Sequence, residues 1–363
     1  MSAKPVVAVA MSGGVDSSVA AALLIERGFT VFGLMLRLWS EETAGGTNRC
    51  CTPDSVALAR RVAATLSIPF YVLDARQVFY DSVVLPFIDD YAHNLTPNPC
   101  VNCNRLIRWD FLFKHAMAAG ADYLATGHYS RINQQNDQPI QLMRGVDARK
   151  DQSYVLHVLV QNQLAHTLFP LGEYYKAEVR QIAHQSELPV AERPDSQDLC
   201  FVGADGDYRG FLWRQAPQVA TPGEILDGQG KLLGRHQGLP FFTIGQRKGL
   251  RIASPTPLYV LEKDTTHNAL IVGPRDQLGC DHLVAARVNW VCGTPPSARF
   301  TARVKIRYKA LDVPGDVVVL DDNRFRVQFG IPLADITPGQ AAVLYNGEVC
   351  LGGGIITNRQ NNG

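Results

Sequence analysis

Five apolar residues, Val6–Ala10, run through Met11 into Ser12-Gly13-Gly14-Val15-Asp16-Ser17-Ser18, and a helix-like stretch continues from Asp16 to Arg27 until Gly28 stops it. This succession constrains the fold more than any other feature of the chain. A short, wholly apolar run suits a buried parallel strand. Glycines at its end let the backbone approach a ligand closely, and the helix start offers free N–H groups at the positive end of its dipole. Ser12, Ser17 and Ser18 add hydroxyls. The pattern predicts a phosphate cradle. It is not the loop that ends in Gly-Lys-Ser/Thr, because no Lys follows. Asp16 beside a phosphate implies Mg²⁺ between them, since carboxylate and phosphate repel. The competing reading is a plain Gly-Gly turn with Asp and Ser as caps.

The alternation continues. Thr30–Leu36 and Phe70–Leu73 read as strands, and Thr52-Pro53 opens a helix to about residue 66. Tyr80–Tyr91 and Leu106–Ala119 read as helices and Tyr123–Ala125 as a fourth strand. This predicts an α/β domain with a parallel sheet covered by helices on both faces. After about residue 204 Gly and Pro become frequent and helical periodicity fades. Glu224–Leu226 and Lys231–Leu233 flank Asp-Gly-Gln-Gly, and Val343–Tyr345 and Val349–Leu351 flank Asn346-Gly347; both read as hairpins. The expected organisation is an α/β domain over 1–204, a small β-rich middle domain over 205–278 and a C-terminal β barrel over 279–363. The 363 residues suit two or three domains at roughly 150 residues each.

With 46% hydrophobic and 19% charged residues the composition is globular, which excludes a disordered, collagenous or coiled-coil chain. Basic and acidic residues number 35 and 34, so any nucleic-acid partner must show itself in local patches. No apolar run approaches the ~18 residues of a membrane span, so no membrane partner is expected. The apolar stretch at the N-terminus is short for a signal peptide and runs straight into the glycine turn; the expected location is the cytoplasm. Eight cysteines are too sparse for a disulfide scaffold and read as thiols, ligands or catalysts.

Thr96-Pro97-Asn98-Pro99-Cys100-Val101-Asn102-Cys103-Asn104-Arg105 reads as a Pro-stiffened loop carrying two cysteines and ending at a helix start, and Cys200 follows in Asp195-Ser196-Gln197-Asp198-Leu199-Cys200. A thiolate at a helix N-terminus beside Arg105 favours nucleophilic or sulfur-carrier chemistry. Other readings stay open. Cys280, Cys292 and Cys350 suit ordinary buried thiols. Zinc on Cys100, Cys103, Cys50 and Cys51 suffers from the poor chelate spacing of the adjacent pair, whose role is otherwise open. Cys100, Cys103 and Cys200 alternatively hold three corners of an iron–sulfur cluster with one iron open.

Two stretches are basic and free of acids. His282–Leu311 holds Arg287, Arg299, Arg303, Lys305, Arg307 and Lys309, and Gly228–Leu261 holds Lys231, Arg235, Arg247, Lys248 and Arg251. From Arg303 to Lys309 cations alternate with Val304, Ile306 and Tyr308, which predicts one charged strand face opposite an RNA backbone. A solvated edge strand is the plainer reading. Tyr129, Tyr154 and Tyr308 are candidates for stacking on bases, and His128 for an ordinary loop histidine.

The turn at Ser12–Ser18 resembles the PP-loop of ATP pyrophosphatases. Together with TPNPCVNCN, ATGHY (Ala125–Tyr129), KDQSY (Lys150–Tyr154), FPLG (Phe169–Gly172), DSQDLCFVG (Asp195–Gly203), GQRKGL (Gly245–Leu250) and TPGQ…YNGEVCLGGG, it makes the chain similar, from about residue 5 to 357, to bacterial tRNA-specific 2-thiouridylases. The resemblance implies ATP-dependent transfer of sulfur to C2 of the wobble uridine in tRNAs for Lys, Glu and Gln. It implies ATP contacts from Ala10, Met11, Ser12, Gly13, Gly14, Val15, Asp16, Ser17, Leu36 and Gly127. Cys200 would carry a persulfide delivered by a cysteine desulfurase or sulfur-relay protein, with Cys103 its partner. Asn98, Pro99 and Cys100 would surround the target base. His128, Lys150, Asp151, Gln152, Arg307, Tyr308 and Gln340 would touch tRNA. Some family members carry Asp where this chain has Cys100, which keeps the cluster reading open. The rivals are a PP-loop synthetase acting on a small metabolite, which needs neither paired cysteines nor a basic β domain, and an RNA-binding protein with a degenerate nucleotide fold.

Overall fold

The computed structural model describes residues 4–41, 53–135, 137–195, 199–202, 207–321 and 323–358. Cys50, Cys51, Thr52, residues 196–198 and Gly203 lie outside these. The first sheet is parallel, with order β3-β2-β1-β4-β7, where β1 is Val6–Ala10, β2 Thr30–Arg37, β3 Phe70–Asp74, β4 Tyr123–Ala125 and β7 Thr167–Leu168. Val7, Ala8 and Val9 are fully buried, which is why the first strand is apolar on both faces. The helix Val15–Glu26 buries Val19, Ala20, Leu23 and Leu24 under β1, packed with Val179 and Ala183 of the helix Lys176–Gln185. Gly28, at φ +87°, turns the chain out of that helix. The strand order reverses between β1 and β4, the switch point where open α/β sheets bind ligands.

Two helical segments follow, 76–92 and 99–118; Leu112 and Ala116 of the second cover the other face of the sheet at Ala8, Leu34 and Leu124, and the first packs with the middle part of the chain. The second begins seven residues before the sequence-based expectation. Asn98 caps it, its Oδ1 accepting from Cys100 N at 3.1 Å, and Pro99 occupies the first helical turn. The Pro-rich stretch is therefore a helix start, and both cysteines sit on the helix instead of in a loop before it. From Cys103 to Leu112 the turns are of the wide π type.

A helix at Tyr208–Gln215 interrupts the expected β character after residue 204. Its Phe211 packs with Phe79, Phe87 and Phe201 of the first part of the chain and Phe241, Val260 and Leu270 beyond it, one continuous core that tertiary burial, not local periodicity, supports. The middle sheet has order β10-β11-β8-β9, from Tyr259–Asp264, Ala269–Gly273, Gly223–Asp227 and Leu232–His236. The last two form the expected hairpin.

The C-terminal part is a closed six-stranded antiparallel barrel, β12-β15-β14-β13-β16-β17 with β17 returning to β12; the strands are Cys280–Trp290, Arg324–Leu333, Val313–Leu320, Arg299–Lys305, Ala341–Asn346 and Val349–Asn358. Along β15 Phe325, Val327 and Phe329 point inward and alternate with exposed neighbours. The β16–β17 turn is Gly347-Glu348, one residue beyond Asn346-Gly347, with Gly347 at φ +58°. A hairpin from the first part of the chain, β5 (Ser130–Asn133) and β6 (Gln141–Arg144), extends this sheet: Met143 pairs with Val349 and Leu142 with Cys350.

The basic strand does not extend as expected. β13 ends at Lys305, and Arg307 and Lys309 lie in the turn that follows. Lys305 is buried, its Nζ 6.0 Å from the Tyr154 ring centre and 5.8 Å from that of Tyr308. Arg303 alone of the four projects from the strand's outer face, and it pairs with Asp312 at 2.6 Å. The chain turns because Ile306 is drawn into the barrel core.

Candidate active site

A cavity of about 340 Å³ opens at the switch point, within the range of small-molecule sites. The turn after β1 forms one wall. Gly13 has φ +70°, and a Cβ there would meet the Ser55 carbonyl oxygen at 2.7 Å. The Ser12 amide donates to Ser17 Oγ at 3.2 Å, and the Ser17 and Ser18 hydroxyls donate back to Gly14 O at 3.2 and 2.8 Å, which fixes the turn at the helix start. Arg193 Nη1 donates to Gly13 O at 2.6 Å. The turn after β4 lies against this one so closely that Gly127 tolerates no Cβ.

Asp16 Oδ1 accepts from Tyr129 Oη at 2.8 Å and from Lys176 Nζ at 2.6 Å. Oδ2 has no partner among the described residues, so the carboxylate fits the role of a Mg²⁺ ligand. Lys176 also reaches Asp195 at 2.9 Å, and Asp195 accepts from Lys150 at 2.6 Å and Arg180 at 3.0 Å. Burial works to raise the Asp195 pKa, but the hydrogen bonds from Lys150 and Lys176 overcome it and hold the carboxyl at about 2. Burial, then the charge of Asp16, pushes Tyr129 up, so its phenol stays a donor.

The helix 99–118 and the segment around Cys200 contribute further lining. Cys103, Ile107, Arg108 and Leu112 all face the cavity. In an α-helix, at ~100° per residue, Leu112 would sit on the far side from Cys103; the π winding brings them to one face. Cys200 lines the same cavity, and its neighbour Phe201 is locked 5.1 Å from Phe87 and 5.5 Å from Phe211 between ring centres. Cys100 is exposed, one turn before Cys103. Burial, then Asp151 and Cys100, raises the pKa of Tyr308, which also lines the cavity.

The expected site residues divide. Ala10, Met11, Ser12, Gly14, Val15, Asp16, Ser17, Leu36, Gly127, Cys103, Cys200, His128, Lys150, Gln152 and Tyr308 share the cavity wall. Gly13 supports it from behind. Asn98, Pro99 and Cys100 lie beyond it at the helix start. Asp151 is buried and pins a turn, accepting from the amides of Gly145 at 3.2 Å and Ser153 at 3.0 Å. Arg307 binds Thr337 Oγ1 and, at 3.1 Å, Ile244 O; Gln340 donates to Thr96 O at 2.8 Å. Both bridge parts of the chain. Lys176, Arg180 and Arg193 escaped sequence reasoning because no local motif surrounds them; only their spacing on one helix face links Lys176 and Arg180. Among the described residues the tightest trio of metal-ligating side chains is Cys280, Asp281 and His282, so Cys100, Cys103 and Cys200 do not converge on a single ion.

A parallel-sheet domain whose cavity is lined by a glycine turn and two cysteines, followed by a small β domain and a closed barrel, defines a class of modular enzymes. Residues 5–204 match the family described as tRNA methyl transferase HUP domain, 209–274 the tRNA methyl transferase PRC-barrel domain and 280–356 the aminomethyltransferase beta-barrel domain. The chain is 50% identical to tRNA-specific 2-thiouridylase MnmA of Magnetococcus marinus, covering 96% of this chain and 98% of that protein. It is 46% identical to the protein of that name from Natranaerobius thermophilus, over 96% of each chain. It belongs to the tRNA-specific 2-thiouridylase family of sulfurtransferases. Among solved structures, NMN synthetase from Francisella tularensis aligns over 54% of this chain and 67% of that one (16% identity, TM-score 0.34). A 4-thiouridine synthetase–RNA complex with bound ATP aligns over 59% and 51% (13% identity, TM-score 0.34). No helix among the described residues is long and apolar enough to cross a membrane.

Proposed function

We propose that this chain converts the wobble uridine of tRNAs for Lys, Glu and Gln to 2-thiouridine at the expense of ATP, in the cytoplasm. The observation that carries the reading is that the glycine turn and both Cys103 and Cys200 face one cavity. The turn and the helix start bind the phosphates of ATP, with Leu36 and Gly127 toward the nucleoside. Asp16, through Oδ2, would hold Mg²⁺, which supplies charge neutralisation when bound. Uridine O2 attacks the α-phosphate and pyrophosphate leaves. The C2 oxygen is then part of a good leaving group. Sulfur from a Cys200 persulfide attacks C2 and AMP departs. Either the persulfide's outer sulfur attacks C2 and Cys103 then attacks the Cys200 sulfur of the resulting C2–S–S–Cys200 bond to release 2-thiouridine, or Cys103 first attacks the inner sulfur and frees hydrosulfide, which attacks C2; each route leaves a Cys103–Cys200 disulfide that an external thiol reduces. A cysteine desulfurase or sulfur-relay protein loads Cys200.

Asn98, Pro99 and Cys100, at the exposed helix start, receive the splayed base. Lys150, Gln152 and Tyr308 line the wall on the RNA side, where Tyr308 has a face to stack. His128, Asp151, Arg307 and Gln340, which make intramolecular contacts, act on tRNA by shaping that surface. A second reading is supported by Cys103 and Cys200 sharing the cavity with Cys100 one turn away: the three would hold an iron–sulfur cluster that binds the incoming sulfur. The test is nucleoside mass spectrometry on unmodified tRNA-Glu incubated anaerobically with protein, Mg-ATP and sulfide. ATP-dependent 2-thiouridine supports the reaction, and its absence with folded protein and bound RNA refutes it. Iron and acid-labile sulfide assayed on the same anaerobic sample decide between the two ways of holding sulfur.

A further inference from the structure

Of the other cations that line the cavity, Lys150 is held by Asp195 at 2.6 Å, and Arg193 is spent on Gly13 O and Ser55 Oγ. Arg108 is different. Among the described residues no carboxylate lies within ion-pair distance of it, and its one side-chain hydrogen bond is Nη1 to His128 Nε2 at 3.2 Å. A guanidinium only donates, so Nε2 is the acceptor and the ring proton sits on Nδ1, 2.8 Å from Thr126 Oγ1. His128 is almost fully buried and packs on Trp109 at 5.5 Å between ring centres. It is a neutral, fixed acceptor that aims the Arg108 fork. The wide turns of the helix put Arg108 on the face it shares with Cys103. A partly buried cation without a counter-ion, held at one end by a neutral group, is arranged for an anion that arrives with the ligand.

We infer that Arg108, positioned by His128, forms an anion subsite at the cysteine end of the cavity and that its ligand is the α-phosphate of the nucleotide. The assignment rests on the reading given under Proposed function. There the α-phosphate is the one that must meet the base and the sulfur, and with Arg108 on it the glycine turn is left to hold the β and γ phosphates. Arg108 would contact the phosphate both as pyrophosphate leaves and as AMP leaves, which makes it a catalytic residue. His128 is a positioning residue.

The test compares binding of AMP, adenosine and pyrophosphate by calorimetry to wild type, Arg108→Ala, Arg108→Lys, His128→Gln and His128→Leu, with melting curves as a folding control. Wild type is expected to prefer AMP over adenosine. Arg108→Ala should cut that preference about tenfold or more, the scale of a charge-assisted hydrogen bond, and leave pyrophosphate binding unchanged. Arg108→Lys and His128→Gln, which keep a cation and an acceptor, should retain most of it; His128→Leu should not. A folded Arg108→Ala with wild-type preference overturns the subsite. So does a variant in which only the pH profile of Cys103 alkylation moves, since Arg108 would then serve the thiolate. Wild type that binds no adenine nucleotide would instead overturn the functional reading beneath it.

Discussion

Gly127 lies against the peptide between Asp16 and Ser17, where a Cβ would stand 2.8 Å from the Asp16 carbonyl carbon. Two turns that end neighbouring parallel strands are thereby pressed together at the point where the strand order reverses. Neither backbone can yield without moving a strand end.

Gly127→Ala should therefore push the two turns apart. We expect a loss of about 1–3 kcal/mol in stability, the range for overpacking, and at least a tenfold loss of Mg-ATP affinity in the protein that still folds. Calorimetry and urea unfolding check this. Unaltered affinity would show that the contact does not shape the cradle.

Cys200→Ser and Cys103→Ser should each abolish 2-thiouridine formation from a persulfide donor, while Mg-ATP affinity stays within twofold. Both residues line the cavity that the glycine turn also lines. If Cys103→Ser accumulates tRNA disulfide-linked to Cys200 that an external thiol releases, direct attack is supported; tRNA left unattached and unmodified supports release of hydrosulfide by Cys103.

Asp195 gathers Lys150, Lys176 and Arg180. Its folded pKa, about 2, lies below its ordinary 3.8, so its contribution is present above pH 4 and is lost as pH falls toward 2. The shift corresponds to about 2 kcal/mol. Asp195→Asn should be less stable by that order at pH 7, and the gap should narrow between pH 4 and pH 3. Urea midpoints of the two proteins give the answer; a gap that ignores pH would refute the ionic origin.

Lys263 donates to Asn94 O at 3.0 Å, and desolvation draws its pKa down from 10.5 to about 7. The unfolded chain then binds more protons than the native one between about pH 7 and the ordinary lysine value, so this residue makes stability rise with pH across that window. Lys263→Met should flatten the rise. Unfolding free energies at pH 7 and pH 9.5 for both proteins test it, and parallel slopes would contradict it.

Some of this was legible in the sequence for a plain reason. VVAVA and Tyr123–Ala125 lie where read because strands buried on both faces need no partner-specific pattern. The glycine turn was legible because its chemistry is local. The start of helix 99–118 was not: a Pro-Asn-Pro run reads as a loop, although Asn98 and Pro99 are also what a capped helix start requires. The basic stripe misled because alternation does not announce where a strand ends, and Ile306 ends this one. Lys176 and the Arg108–His128 pair owe their roles to neighbours distant in sequence, which no window of residues contains.

The pairing of Met143 with Val349 and of Leu142 with Cys350 sets an order of events during synthesis. The hairpin 130–144 leaves the ribosome more than 200 residues before the strand that completes its edge. At 5–20 residues per second that delay is about 10–40 s. The β6 edge is thus born open and is covered by β17, the last strand among the described residues. Unfinished chains carry a template for strand addition that the finished enzyme does not.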